Sequence, residues 1–212
     1  MKRVGLALMT SLALATQANA AAFNDLTSFL AATVNVNLIN FDFDPEERPT
    51  VDGTQIGGTY AALGVTFPDG NIFEANFIGP VSPPNGWLNN TFIGGDAVFD
   101  ANFIVGGVTA VGVHNVFNGS IPNGGLLRAF DAANNLLESV LSDSDGNTLD
   151  FFGVTTDTPI ARITISALTP NGWGLDNLYF GEAQQQAPEP GTLLLLVFGL
   201  LGGSLARRRP RV

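Results

Sequence analysis

The sequence predicts an all-β fold, a sandwich or barrel of antiparallel strands that spans residues 21–181. Short apolar runs are separated by Gly, Pro, Asn and Asp at intervals of about eight to twelve residues. Several runs alternate between apolar and polar residues, as strands with one buried face do. Helical periodicity occurs in one short stretch only. A single domain without disulfides is expected, since the chain has no Cys and a domain of ~150 residues buries roughly 70% of its unfolded surface.

The N-terminus has the three parts of a secretory signal peptide over residues 1–20. Lys2 and Arg3 form a positive n-region, an apolar h-region follows, and Ala18-Asn19-Ala20 is an A-x-A cleavage site. Cleavage after Ala20 is expected, with Ala20-Ala21-Ala22 as a second candidate site. A buried core helix is the alternative, which the charge order and the small residues disfavour. Signal peptidase and the export machinery are therefore expected partners.

One helix and ten strands are predicted after the signal peptide. The helix lies within 23–33, with Asn24 or Asp25 as its N-cap and Leu26, Phe29 and Leu30 on one face. The strands are predicted at 36–43, 64–69, 71–79, 97–104, 109–117, 125–132, 135–142, 149–155, 160–168 and 174–181. Sixteen Phe against two Tyr and two Trp predict a phenylalanine-rich core.

Alternation assigns faces within three of these strands, and turn residues separate several of them. In residues 162–167 we expect one face to carry Ile163, Ile165 and Ala167 and the other to carry Arg162, Thr164 and Ser166. In residues 111–116 one face carries Val111, Val113 and Asn115 and the other carries Gly112, His114 and Val116. In residues 177–180 one face carries Leu178 and Phe180 and the other carries Asn177 and Tyr179. Hairpin turns are predicted at Asn134-Asn135 and Asp145-Gly146. Pro-Asn-Gly predicts further turns at Pro84, Pro122 and Pro170.

The charge of the body is strongly negative. Arg48, Arg128 and Arg162 are the only basic residues between 21 and 187, against eighteen acidic ones, so that this stretch has a formal charge of −15. Such a body repels nucleic acid and acidic lipid and attracts divalent cations. Nucleic acid is therefore not an expected partner. Solubility alone is the alternative explanation of the charge.

The C-terminus combines a linker, a short motif, an apolar run and a basic end. Residues 182–187 are a polar linker, Pro188-Glu189-Pro190 follows, and Gly191–Ala206 carries no charge. As a helix this run is about 24 Å long, somewhat short of the hydrocarbon core of about 30 Å, and snorkelling arginines can bridge the difference. The sequence predicts a transmembrane helix with a cytoplasmic stop-transfer cluster of Arg207, Arg208, Arg209 and Arg211.

This order of Pro188-Glu189-Pro190, apolar helix and Arg cluster resembles the PEP-CTERM sorting signal of Gram-negative bacteria that make exopolysaccharide. The resemblance covers about the last 25 residues, numbered 188–212. It implies that the tripeptide is recognised and processed by a membrane transpeptidase called exosortase. It also implies that the helix holds the chain in the inner membrane until processing releases the body to the cell surface or extracellular matrix, where exopolysaccharide forms the biofilm. Such a signal determines where the protein is delivered and does not indicate its activity.

Two stretches of the body resemble carbohydrate-binding-module-like, galactose-binding-like β-sandwiches of the jelly-roll type. They are FDFDPEERPTVDGTQIGGTYAALGVTF, which ends at Phe67, and PIARITISALTPNGWGLDNLYF, which ends at Phe180. The resemblance implies a structural Ca²⁺ bound by Asp42, Asp44 or Glu46 together with Asp176. Ca²⁺ takes six to eight oxygen ligands, for which clustered carboxylates are suited. A solvated acidic loop beside Arg48 is the alternative.

Two tryptophans are candidate sugar-binding residues. Trp87 and Trp173 each follow an Asn-Gly pair, which places both on or beside loops, close to further amides and carboxylates. A sugar site needs an exposed aromatic platform of this kind. The alternative is that each Trp caps the core.

Residues for catalysis are scarce in the sequence. His114 is the only His, there is no Cys, and G-x-S-x-G is absent. Asp143, Asp145 and Asn147 begin like an EF-hand loop, but Thr148 and Val154 replace its Gly and its final acid, so a turn is favoured. We therefore expect a non-catalytic β-sandwich at the cell surface or in the matrix that binds polysaccharide. One alternative is a secreted hydrolase, either a glycoside hydrolase, which needs a pair of carboxylates, or another hydrolase. A second alternative is an ice-binding-type protein, which needs a regular Thr array.

Overall fold

The computed structural model describes residues 20–51, 53–68, 70–74, 85–89, 98–117, 125–142, 149–167 and 173–184. These residues form one α-helix, a 3₁₀ turn at Ala61–Leu63 and twelve strands. The elements are β1 Ala21–Phe23, α1 Leu26–Ala31, β2 Thr33–Ile39, β3 Val65–Thr66, β4 Gly70–Glu74, β5 Asn85–Asn89, β6 Val98–Phe103, β7 Ala110–Phe117, β8 Gly125–Phe130, β9 Leu136–Leu141, β10 Leu149–Thr155, β11 Arg162–Ala167 and β12 Trp173–Ala183. The all-β prediction is confirmed.

The strands pair into two antiparallel sheets. The seven-stranded sheet has the order β1-β10-β7-β12-β5-β4, and β2 pairs with β12 as well. The five-stranded sheet has the order β3-β6-β11-β8-β9. In the first sheet β12 is central: it pairs with β7 on one side, and with β5 at Leu175 and β2 from Leu178 to Ala183 on the other. The predicted β-sandwich is confirmed.

The main core lies between the two sheets. The seven-stranded sheet contributes Val111, Val113, Phe152, Val154, Leu178 and Phe180, and the five-stranded sheet contributes Phe99, Ala101, Leu127, Ala129, Ile163 and Ile165. The predicted inward residues are therefore confirmed wherever these strands' side chains are described. Phe41, Phe67 and Phe103 join the same cluster, so the predicted phenylalanine-rich core is also confirmed.

Helix α1 covers part of the outer face of the seven-stranded sheet. Its N-cap is Asp25, whose Oδ2 accepts a hydrogen bond from Ser28 N at 2.7 Å. Phe29 is fully buried in a second apolar cluster with Ala110 and Phe151, against which Phe23, Leu26 and Tyr179 pack. The prediction for Leu30 is wrong, because its side chain is 40% exposed. A helix of six residues has fewer than two turns, and Phe29 takes the position that faces the sheet.

Two strands were not predicted, and one predicted strand is displaced. β1 and β5 lack a clear sequence pattern. Pro84-Asn85-Gly86 predicts a turn, but Asn85 and Gly86 belong to β5. Backbone pairing with β4 on one side and β12 on the other overrides this local preference. The strand predicted at 36–43 lies at Thr33–Ile39. Phe41, two residues beyond the end of β2, has φ 61°, outside the extended region.

The turn between β8 and β9 forms as predicted. Asn134 adopts φ 64°, which Asn tolerates better than most residues. Asp131 closes the turn, since its Oδ1 accepts hydrogen bonds from Ala133 N at 2.9 Å and Asn135 N at 2.8 Å. The predicted turns at Pro122 and Asp145 lie outside the described residues.

Both ends of the chain fall largely outside the described residues. Ala20 is the one described residue of the predicted signal peptide, and the linker is described as far as Gln184. The predictions for Pro188-Glu189-Pro190, the apolar run and the Arg cluster therefore stay predictions. Over the ranges that are described, none of the helical segments is both long and apolar enough to cross a bilayer.

Candidate functional site

The acidic loop after β2 is organised around Arg48. Asp44 Oδ1 accepts hydrogen bonds from the backbone N of Glu46 at 3.0 Å and of Arg48 at 2.9 Å. Arg48 Nε donates to Asp44 Oδ2 at 2.6 Å, and Arg48 Nη2 donates to Glu46 Oε2 at 2.8 Å. Burial alone would raise the pKa of Asp44, but the hydrogen bonds and the charge of Arg48 hold this pKa below its usual value. Asp44 and Glu46 are thus paired with a protein cation.

Asp42 lies at the buried side of this loop. Its neighbour Phe41 has φ 61°, and the Thr50 hydroxyl donates to Phe41 O and to Asp42 O. Thr50 N also donates to Asp42 O at 2.9 Å. Tyr60 packs against the loop, and its hydroxyl donates a hydrogen bond to Phe43 O at 3.0 Å. Burial raises the pKa of Tyr60, and the charges of Asp44 and Asp42 raise it further, which places both carboxylates near this ring.

The fourth predicted calcium ligand, Asp176, lies in β12 and is fully buried. Its cross-strand partner in β7 is His114, and its charge adds to the burial that raises the pKa of Tyr179. Within the described ranges, no three side chains of His, Asp or Glu come together as a metal site. The ion pairs of Arg48 match the alternative interpretation, a solvated acidic loop beside Arg48. Calcium binding stays a prediction.

The two tryptophans occupy strand positions. Trp87, predicted on or beside a loop, lies in the five-residue strand β5, opposite Leu175 of β12 and Ile72 of β4. Trp173 is the first residue of β12 and lies opposite Phe117. The side chains of both fall outside the described part of the structure. Their role in sugar binding stays a prediction.

His114 lies on the outer face of the seven-stranded sheet, packed between aromatic rings. Its ring makes edge contacts with Phe151 at 5.3 Å and Tyr179 at 5.6 Å between centroids. Burial lowers the pKa of His114 to about 4, and Nδ1 has no hydrogen-bond partner among the described residues. A catalytic base is instead oriented by a partner at one nitrogen and faces a nucleophile with the other. The surroundings of His114 are those of a packed structural residue.

A polar cluster on the outward face of the five-stranded sheet was not recognised in the sequence. Arg162 in β11 donates from Nη1 to Asp100 Oδ1 at 3.0 Å and from Nη2 to Asn134 Oδ1 at 2.7 Å. Its Cζ lies 4.6 Å from the centre of the Phe130 ring, within the range of a cation–π contact. Arg162 is therefore fixed from three sides while about a third of its side chain, 33%, stays exposed.

The register of the strands extends this cluster into a surface. Arg162 lies opposite Phe130 of β8 and Asn102 of β6, and Thr164 lies opposite Arg128 and Asp100. Because the alternate residues Ile163 and Ile165 are in the core, these side chains point outward. We call this surface the Arg162 platform and define it by six residues: Asp100, Asn102, Arg128, Phe130, Arg162 and Thr164.

Arg128 is the platform residue with unused hydrogen-bond donors. It is half-buried, and its guanidinium makes no ion pair or hydrogen bond with any described residue. The alternation of β11 did predict that Arg162 and Thr164 point away from the core. The neighbours in β6 and β8 were not predictable, because Asp100 and Arg162 are 62 residues apart and the strand pairing is not encoded locally.

Comparison with known proteins identifies one motif and several similar folds. Residues 186–209 match the PEP-CTERM protein-sorting motif, which confirms the resemblance of the tail. No curated protein matches the chain significantly. Among solved structures, the chain is similar to CBM29_1, a family 29 carbohydrate-binding module from Piromyces equi, with 9% identity, a TM-score of 0.41 and coverage of 73% of this chain and 97% of that one.

Two further solved structures are similar to the chain, both of them carbohydrate-binding modules. One is the C-terminal CBM6 of LamC, a marine laminarinase from Zobellia galactanivorans, with 11% identity, a TM-score of 0.35 and coverage of 53% and 99% of the two chains. The other is TmCBM61 in complex with β-1,4-galactotriose, with 15% identity, a TM-score of 0.37 and coverage of 63% and 99%. The chain therefore carries a sorting motif, and these three similar solved structures are carbohydrate-binding modules.

Proposed function

We propose that this chain is an exported protein that an exosortase-type transpeptidase sorts to the cell surface or extracellular matrix. There its β-sandwich binds polysaccharide without catalysis. The observation that carries the sorting part is the match of residues 186–209 to the PEP-CTERM protein-sorting motif. Pro188-Glu189-Pro190 is the processing site in this proposal, and Arg207, Arg208, Arg209 and Arg211 stay in the cytoplasm. The apolar run between them holds the precursor in the inner membrane.

The junction between the body and the tail supports this arrangement. β12 ends at Ala183, and the motif begins at residue 186. The last strand of the sandwich is thus complete before the motif starts, so that cleavage near Pro188 leaves the fold of the body intact. The signal peptide predicted at residues 1–20 supplies the export that such sorting requires.

The surroundings of His114 support a role without catalysis. As the only His of the chain, it is the one side chain with an ordinary pKa suited to proton transfer near neutral pH. Burial lowers its pKa to about 4, and its ring packs against Phe151 and Tyr179. The polysaccharide part of the proposal rests on the polar Arg162 platform, where charged and amide groups share one outward face around the buried Thr164.

The sorting part is tested by replacing the tripeptide in the full chain. In a Gram-negative host with an exosortase, we expect the unaltered protein to be shortened and recovered from the surface or matrix fraction. The triple variant with Pro188→Ala, Glu189→Ala and Pro190→Ala should stay in the inner membrane at full length. Gln184→Ala with Gln185→Ala is the matched control and should be processed normally. Normal processing of the triple variant would overturn the proposal.

The binding part is tested on the released protein. We expect it to be retained on at least one polysaccharide from the host matrix, with no release of reducing sugar during incubation. Turnover of a polysaccharide that a single Asp or Glu substitution abolishes would establish the hydrolase alternative instead.

A further inference from the structure

We infer that the Arg162 platform is the surface on which the β-sandwich binds polysaccharide, and that its ligand carries uronic acid residues whose carboxylate is bound by Arg128. This inference rests on the proposed function and specifies the site and the ligand chemistry. The platform is assembled from three adjacent strands, β6, β11 and β8, so it is a continuous surface of the five-stranded sheet. Adjacent strands are about 4.8 Å apart, so these three extend over about 10 Å before the side chains are counted.

The distribution of arginines selects this face. Of the three Arg residues in the body, Arg48 is already paired with Asp44 and Glu46 on the acidic loop. The remaining two, Arg128 and Arg162, lie in neighbouring strands at diagonal positions of the same outward face, which are about 7–8 Å apart at the backbone. No other face of the body can bring two arginines together.

The six platform residues are less acidic than the rest of the body. Two Arg and one Asp give them a formal charge of +1, whereas residues 21–187 together carry −15. Asp131 and Glu138 flank the platform in the adjoining turn and in β9, so the positive charge is confined to the two Arg side chains. A ligand carboxylate within the Debye length of about 8 Å of the Arg128 guanidinium is attracted by it.

Arg162 and Arg128 have different roles in this arrangement, one structural and one in binding. Arg162 donates to Asp100 and Asn134 and lies over Phe130, so it is held in place and orders the surface around it. Arg128 has no such partners among the described residues. A guanidinium presents parallel N–H donors that match a carboxylate in a bidentate contact. Arg128 is thus the residue that binds the acid, while the amide of Asn102 is suited to sugar hydroxyl groups.

The charge density of the ligand distinguishes a uronic acid polymer from nucleic acid. Double-stranded DNA carries one negative charge for about every 1.7 Å of its axis, and the acidic body repels such a dense polyanion. A polysaccharide has at most one uronate carboxylate on each sugar. The guanidinium of Arg128, which has no partner among the described residues, matches such isolated carboxylates, with neutral hydroxyl groups between them.

The experiment measures binding of the full chain, in mild detergent at physiological ionic strength, to immobilised polygalacturonate. Methyl-esterified polygalacturonate is the matched ligand, because it keeps the sugar backbone and loses the charge. We expect Arg128→Gln to weaken binding about tenfold or more, as loss of a hydrogen bond to a charged group predicts. Arg128→Lys should retain part of the affinity. Arg48→Gln, which removes the arginine outside the platform, should bind like the unaltered protein.

Each outcome decides a separate part of the inference. Equal binding to the methyl-esterified polymer, or tighter binding to dextran sulfate, would overturn the uronate assignment and leave the proposed function standing. Weakening by Arg48→Gln as large as that by Arg128→Gln would overturn the platform. Failure to bind any of the three polymers or any matrix polysaccharide would overturn the polysaccharide-binding part of the proposed function itself. Melting temperatures of the variants close to that of the unaltered protein confirm that a loss of binding is not a loss of fold.

Discussion

The ring of Phe29 occupies the space that Gly153 leaves open on the seven-stranded sheet. A Cβ built on Gly153 would lie 2.9 Å from Cδ2 of Phe29 and 3.0 Å from the carbonyl oxygen of Val111. The cross-strand partner of Gly153 is Gly112, where an added Cβ would meet the rings of Phe151 and Phe29. Two paired glycines thus form a shallow depression, and α1 docks by inserting one aromatic side chain into it.

Gly153→Ala should therefore destabilise the fold. The added methyl group meets backbone atoms as well as the Phe29 ring, so the sheet and the helix cannot both keep their positions. Overpacking of this kind costs roughly 1–3 kcal/mol of unfolding free energy. Urea unfolding followed by circular dichroism measures it. Gly106→Ala is the matched control, since an added Cβ there has no atom within 4 Å. Equal midpoints for the two variants would contradict the docking of Phe29.

Stability should depend on pH through His114. Burial lowers its pKa to about 4 from the ordinary value of 6.5. As the pH falls from about 6.5, the unfolded chain takes up a proton that the folded protein does not bind until about pH 4, so stability falls across this window and the loss is complete below it. The neighbouring Asp176 and Tyr179 face the same outer surface, and the pKa of Tyr179 is raised, so Tyr179 stays neutral throughout.

The size of this effect can be isolated with His114→Gln. A shift of one pKa unit corresponds to about 1.36 kcal/mol, and partial exposure of the ring reduces the total to roughly 1–3 kcal/mol. Urea unfolding at about pH 7 and about pH 4.5 should show a smaller difference for His114→Gln than for the unaltered protein. Asp44 and Asp131, whose pKa values are lowered, lose their stabilising contribution only below about pH 4. Parallel pH curves for the two proteins would rule out a buried neutral His114.

Thr50→Val should destabilise the loop that follows β2. The Thr50 hydroxyl donates to Phe41 O and Asp42 O and holds Phe41 at φ 61°, a conformation that costs a bulky residue roughly 1–3 kcal/mol. Val keeps the shape but removes the donor, so we expect a loss of about 1–3 kcal/mol of unfolding free energy. Thermal unfolding measures it. Thr54→Val in the same loop is exposed and should leave the melting temperature unchanged.

The calcium prediction for Asp42, Asp44, Glu46 and Asp176 can be checked by thermal unfolding. A ligand present at about 100 times its Kd stabilises by about 2.7 kcal/mol, which raises the melting temperature of a domain of this size by roughly 5–10 °C. The measurement compares excess EGTA with excess Ca²⁺, and Asp176→Asn should remove the increase. A shift below about 1 °C would favour the acidic loop held by Arg48 alone.

Much of the sandwich could be predicted from residue patterns, because burial on one face imposes alternation. β10 has the predicted bounds, Leu149–Thr155, and the predicted inner residues Val111, Ile163 and Leu178 are all in the core. β5 was missed because its pairing with β4 and β12 comes from distant parts of the chain. Leu30 was misassigned because the length of α1 depends on where the sheet lies beneath it.

The candidate site could be predicted less well than the fold. Arg162 was expected to point outward, but its partners could not be predicted. Asp100 lies in β6, 62 residues away in sequence, and Asn134 lies in the turn between β8 and β9, 28 residues away. Side-chain alternation gives the face of a strand and not its neighbours. The local motif Pro84-Asn85-Gly86 predicted a turn where β5 begins, whereas the tail was recognised correctly because its parts follow one another in the sequence.

The position of β12 has a mechanical consequence for the membrane-anchored precursor of the proposed function. The strand before the sorting motif is the central one of its sheet, with β7 along one edge and β5 and β2 along the other. Tension from an anchor in the membrane would pull along this strand, perpendicular to its interstrand hydrogen bonds. These bonds would then share the force in shear and would not open one after another as at the end of a hairpin. Under the proposed function, the sandwich therefore resists unfolding by a force applied at its C-terminal end.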